Sequence, residues 1–300
     1  AGYTDSTNLS FTGVLAFAKP GWQTLTLTVK SRMEALNIPM QPMTFDGTNQ
    51  GTGGSGGYEG SSELAGKTKP QVFGRCMNVT GALVNAFYLM YAFNFSRDGT
   101  QAPLYQIYNV YVKGVRYTFD QDYTTMALLQ NASIAAGKYG TCLALGALRL
   151  GSVPASNGSV VADVADAPEP ACSVSQVVQR ILQQNGSFVA GIDFSNDGLY
   201  LLEAFNNCPV GIYISDSSTS IGSAINQLCD SIGAWVCPDQ TGLFDFGLID
   251  SPANLVLLGQ QSLMTLNKYH WKDTIEKQPT GDDSLNIPAY NVILNHTKNW

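Results

Sequence analysis

Residues 106–119 read QIYNVYVKGVRYTF, with Ile107, Val110 and Val112 ahead of Lys113-Gly114 and Val115 and Tyr117 behind it. β-branched and aromatic side chains at this spacing suit a pleated, half-buried surface, and a glycine in the connection tolerates the backbone of a tight turn. The pattern predicts two antiparallel strands. It recurs on both sides. Upstream, residues 70–94 are apolar and β-prone, and residues 9–30, LSFTGVLAFAKPGWQTLTLTVK, alternate Trp22, Leu25, Leu27 and Val29 with polar neighbours after a Pro20-Gly21 turn. Downstream, AWVCPDQTGLFDFGLI predicts a third hairpin: strand 234–237, turn 238–242, and strand 243–249 with Phe244 and Phe246 on one face.

Helical periodicity is confined to a few segments. Ser173 precedes Val174, Val177, Val178, Ile181 and Leu182, one stripe of an amphipathic helix closed by Asn185-Gly186. A second such helix is expected after Ser218, through Ile221, Ala224, Ile225, Leu228 and Ile232 to Gly233; both should lie on a sheet, the second forming one α+β unit with its hairpin. Asp122 is the expected cap of a helix through Met126, Leu128 and Leu129 to about Ala135, ended by Gly137. Residues 46–62, DGTNQGTGGSGGYEGSS, form a permissive, exposed loop; 152–172 are expected as a surface connection around a short strand over 159–164; 290–300 as a closing strand. The fold class expected is mainly β with α+β elements, over segments 1–120, 121–172 and 173–300.

Composition narrows the function. The 300 residues are 44% hydrophobic and only 13% charged, against about 25% in an average domain, which excludes disorder. Sixteen Lys+Arg against 23 Asp+Glu give a formal charge of -7, which offers nucleic-acid phosphates no basic footprint. Residues 86–93 are the longest apolar run and fall far short of the ~20 needed for a membrane helix. The outer surface must then be rich in neutral Ser, Thr, Asn, Gln and Gly, a composition suited to subunits that bury broad faces against neighbours.

No constellation for catalysis emerges. Cys76, Cys142, Cys172, Cys208, Cys229 and Cys237 include no CxxC pair and are expected as buried, reduced thiols rather than metal ligands. Residues 60–68, GSSELAGKT, place five residues between the glycines where a phosphate-binding P-loop has four, and Pro70 leads on into a strand. The two histidines, His270 and His296, accompany no nucleophile motif. Asp120 and Asp122, Asp163 and Asp166, and the scattered Glu59, Glu63, Asp193 and Glu203 could serve glycoside hydrolysis only if two faced each other, and structural roles are expected instead. Seven Asn-x-Ser/Thr triplets, at Asn8, Asn78, Asn94, Asn131, Asn157, Asn185 and Asn295, would matter only in a secreted eukaryotic chain. No catalytic, cofactor-binding or metal residue is assigned.

Several strings, in order, resemble the tail-tip or baseplate hub proteins of long-tailed (siphovirus-type) bacteriophages. LAGKTKPQVFGRCMNV at 64–79 is one. Between 108 and 164, Asp122-Tyr123, Tyr139, Thr141-Cys142, Arg149-Leu150-Gly151, Pro154 and Ala162-Asp163-Val164 stand at the family's places, followed by the helix 174–182, the segment 218–235 and the terminal NHTKNW. The likeness spans roughly residues 9–300, its weight lying in order and spacing. It implies tail-tube-like β-barrel hub domains with inserted helix-plus-hairpin units. It further implies a ring, commonly a trimer, that caps the tail tube, joins distal tip or fibre proteins and lets DNA pass at infection, assembled in the bacterial cytoplasm. Family members often run past the position of Trp300, and a fibre-attachment or host-contact part would lie in such an extension.

Neighbour contacts are expected from edge strands and from the loop around Gly53, Gly54, Gly56 and Gly57. The alternative is a secreted β-rich carbohydrate-active enzyme or lectin-like binder, using exposed Tyr and Trp as sugar platforms beside a carboxylate pair.

Overall fold

The computed structural model describes residues 12–49, 57–154 and 159–248; the expected closing strand, His270 and His296 lie outside them. In chain order the strands are β1 (Gly13–Pro20), β2 (Leu25–Ser31), β3 (Gln71–Thr80), β4 (Ala82–Asn85), β5 (Met90–Ala92), β6 (Gln106–Val112), β7 (Val115–Asp122), β8 (Lys138–Cys142), β9 (Ala147–Leu150), β10 (Val160–Ala165), β11 (Gly211–Ile214), β12 (Ala234–Pro238) and β13 (Phe244–Leu248). The helices are α1 (Met126–Asn131), α2 (Val174–Gln184), α3 (Asn196–Phe205) and α4 (Ile221–Asp230). The chain is mainly β.

All three hairpins predicted from the sequence form, as β1–β2, β6–β7 and β12–β13. Nine strands make one mixed sheet in the order β11-β3-β10-β6-β7-β8-β9-β5-β4, drawing on residues before 120, between 121 and 172, and after 172. Its neighbours are antiparallel except β7 and β8, which run parallel. β7 achieves this by pairing with β6 through Val115–Tyr117 and with β8 from Thr118 onward. Val72, Val79, Ile107, Val110, Leu148, Val160, Ala162 and Val164 share one apolar cluster with Phe93 and Tyr139. Phe45, Val84, Met90, Phe95, Leu129 and Cys142 fill a second.

The strand over 160–165 differs from its expected setting. It is not part of a surface connection: β10 lies between β3 and β6, with Val160, Ala162 and Val164 fully buried. A near-continuous VVADVA run belongs to a strand covered on both faces, and the flanking prolines and glycines masked that signal.

Helix starts follow hydroxyl caps. Ser173 Oγ accepts from Gln176 N at the start of α2, as predicted. Asp122 is not a cap. It ends β7, where it accepts the Thr141 hydroxyl at 2.6 Å and Leu143 N at 3.0 Å. Thr125 caps α1 instead, accepting from Leu128 N, and α1 stops at Asn131 rather than near Ala135 because Ala132 turns to extended backbone. Ser220, not Ser218, caps α4, since Ser218 is engaged with the Asp216 carboxylate. α2 packs against α3, α4 and β3, while α4 lies on β12 and α3 on β13.

α3 and β11 were not anticipated. α3 carries Gly198 in its first turn because a Cβ there would come within 2.8 Å of Phe246 N, so the helix seats directly on β13. β11 joins β3 through an equally close approach. Gly74 has φ +74, and a Cβ on it would meet Val210 O at 2.1 Å.

Candidate assembly surface

β1 and β2 form a two-stranded ribbon closed by Gly21 N donating to Thr24 O at 2.7 Å. Leu15 stands opposite Val29, Ala18 opposite Leu27 and Pro20 opposite Leu25, with a register shift between Leu15 and Phe17. Directly opposed residues share a face, so the irregularity keeps Leu15 on the side of Ala18 and Pro20. That face is Leu15, Ala18, Pro20, Leu25, Leu27 and Val29, without a charge. The other pairs Val14 with Lys30, Phe17 with Thr28 and Lys19 with Thr26. Every residue from Gly13 to Lys30 is exposed, Trp22 at the tip by 99%. Among the described residues, β1 and β2 pair only with each other.

The sequence foresaw this hairpin but not its exposure. Alternation of apolar and polar residues reads as a strand with one covered face, yet here both faces meet solvent. The signal available was the apolar residue at every position of VLAFA, residues 14–18, which one covered face does not require.

Of the glycines expected to contact neighbours, Gly53, Gly54 and Gly56 lie outside the described residues. Gly57 is half-buried, and its carbonyl accepts from Asn49 Nδ2 at 2.9 Å and Asn85 Nδ2 at 3.4 Å. The base of this loop is stitched shut: Gly47 N donates to Glu59 O at 3.0 Å, Asn49 N to Gly60 O at 2.8 Å, and Asp46 N to the Glu59 carboxylate at 3.0 Å. Lys69, its side chain only 9% exposed, holds Glu59 at 2.7 Å and lies over the rings of Phe45 and Phe95. Burial alone would raise the Glu59 pKa, but Lys69 and the Asp46 N–H outweigh it and hold the carboxyl below its ordinary value.

The other carboxylates singled out from the sequence bind the fold together. Asp163, 3% exposed, accepts Asn78 N on β3 and Asn109 Nδ2 on β6, both at 2.9 Å. It sits where β10 shifts register against both neighbours, and Asn78 takes φ +52 there. Asp166 accepts Gly74 N at 2.7 Å and the fork of Arg180 through two 3.0 Å bonds, locking α2 to β3. Burial nevertheless keeps the Asp166 pKa above its usual value. Asp120 pairs with Lys138 at 3.2 Å, Asp193 with Arg32, and Glu203 accepts the Ser173 hydroxyl; Glu63 is exposed.

The cysteines divide. Cys76, Cys142, Cys172 and Cys229 are buried, but Cys208 and Cys237 are exposed, and all six are unpaired. Burial pushes the Cys76 and Cys229 thiols up to about 12. Among the described residues no group of His, Cys, Asp and Glu is placed to hold a metal ion, and no helix is long and apolar enough to cross a membrane. Of the glycosylation triplets, Asn94 and Asn185 are buried and engaged by their amides. Asn94 accepts from Val72 N and donates to Pro103 O, and Asn185 donates to Met40 O and Gln71. Neither can carry a glycan in the folded chain.

Some of the residues that carry the resemblance, between 122 and 151, lie together. Arg149 on β9 donates to the carbonyls of Leu129, Gln130 and Ala132 at the end of α1, and Tyr123 N donates to Thr141 O beside the Asp122–Thr141 bond. A Cβ on Gly140 would strike the Tyr123 ring at 2.7 Å. These residues are the joinery of α1, β7, β8 and β9. No family model, curated protein or solved structure matches the chain.

Proposed function

We propose that this chain is a structural, non-enzymatic subunit of the tail tip of a long-tailed bacteriophage: a baseplate hub whose copies, three to a ring, cap the tail tube, join distal tip proteins and leave a passage for DNA. The order of the strings from residue 64 onward resembles that family's, which supports this setting, and the β-rich body suits a tail-tube-like barrel. The observation that carries the assembly role is the hairpin 13–31, an exposed apolar surface of the kind that marks protein contact. Carboxylates committed to structural bonds fit a subunit that works by shape rather than by acid–base chemistry. The acidic balance would also keep DNA from adhering to a bore.

The test is location. Particles carrying an affinity-labelled copy, imaged by electron microscopy, should show label at the tail tip and nowhere else. Label missing from intact virions would end this reading, as would a purified chain that hydrolyses glycans and loses the activity when one of its carboxylates is replaced.

A further inference from the structure

The geometry points to the hairpin Gly13–Ser31 as an arm that docks on the body of a second copy of this chain. The inference rests on the ring reading above and deepens it by naming the surface. A two-stranded ribbon alone is marginal in water, and this one leaves Val14, Leu15, Phe17, Trp22, Leu25, Leu27 and Val29 each at least 42% exposed. With aromatic side chains offering roughly 150–250 Å² and aliphatic ones somewhat less, the arm presents on the order of 800 Å², what one partner contributes to a standard interface.

Charge selects the occupant. Residues 13–31 hold Lys19 and Lys30 and no acidic residue, so the rest of the chain is more acidic still than the -7 of the whole; Lys30 pairs with Glu34 of the same chain at 2.8 Å, which leaves Lys19 to meet a partner. An arm that is apolar on one face and presents Lys19 on the other complements a body that is neutral to acidic, and the nearest abundant source of that body is another copy. Arm on body is a heterologous contact, the kind that closes into a ring when the rotation allows. Among the described residues no further strand pairs with the outer edges of β1 and β2, which leaves them backbone groups to offer a neighbouring strand.

The experiment compares the full chain with a variant carrying Leu25→Asp and Leu27→Asp, by light-scattering mass across a concentration series. Both positions are solvent-facing, so an unchanged circular dichroism spectrum and melting temperature verify folding. The expected result is a multimer for the parent and a single 32.2 kDa chain for the variant, with association weakened on the order of a hundredfold or more. A variant that still assembles overturns the arm while leaving the ring intact; a parent that stays single overturns both. In a second measurement, Leu27→p-benzoylphenylalanine is irradiated. Cross-links between chains support the arm. Cross-links within one chain, to residues 1–11 or 249–300, or to a different protein, overturn it.

Discussion

Asp163 shows how one side chain governs three strands. Its carboxylate satisfies a backbone N–H on β3 and an amide on β6 from a position of near-complete burial, so Asp163→Ala should cost about 1–3 kcal/mol by stranding both donors. A lowered urea midpoint checks this; an unchanged midpoint refutes the clasp. Glu59 makes a pH-dependent contribution. Its folded pKa lies below the ordinary value, so the stabilisation is present above about pH 4.3, the unfolded value, and is lost as pH falls toward the folded one. Glu59→Gln should therefore cost about 2 kcal/mol at pH 7, leaving Lys69 nearly buried without its partner, and less at pH 3. Melting curves at the two pH values should show the gap closing on acidification.

At the scale of elements, α2 depends on the Arg180–Asp166 fork. Arg180→Ala leaves a mostly buried carboxylate without its cation and should destabilise the fold by about 3–5 kcal/mol, read as a fall in melting temperature. Gly211→Val should be as damaging, since even a Cβ there meets Arg75 O at 2.2 Å, and should release β11 from β3. The hairpins and α2 were legible in the sequence because their apolar spacing and turn or cap residues agree with one another. α3 was not: Gly198 falls in its first turn, and the reason for that glycine lies far outside any local window, in the backbone of β13 at Phe246, which packs directly against it. β10 is legible as a strand but not as a central one, because the prolines and glycines flanking VVADVA outweigh its near-continuous apolar run.

For the whole molecule, the partition of thiols is the simplest check. Cys208 and Cys237 should react with Ellman's reagent in the native protein and the remaining four only after denaturation. Six fast thiols would mean the two clusters are not packed as described. The candidate surface was half legible. Edge strands were expected to contact neighbours, and VLAFA carries apolar residues on both faces, but what covers those faces is decided by residues outside that window.

The position of β3 bears on how the chain is made. Both of its sheet neighbours, β10 and β11, come later in the sequence. From Thr80 to Ile214 a ribosome must add roughly 130 residues, on the order of ten seconds at ~5–20 residues per second. Until β10 emerges this apolar strand has neither edge partner, and until β11 emerges it still lacks one, so nascent chains are sticky until the last third appears, and their yield in the host depends on chaperone cover during translation.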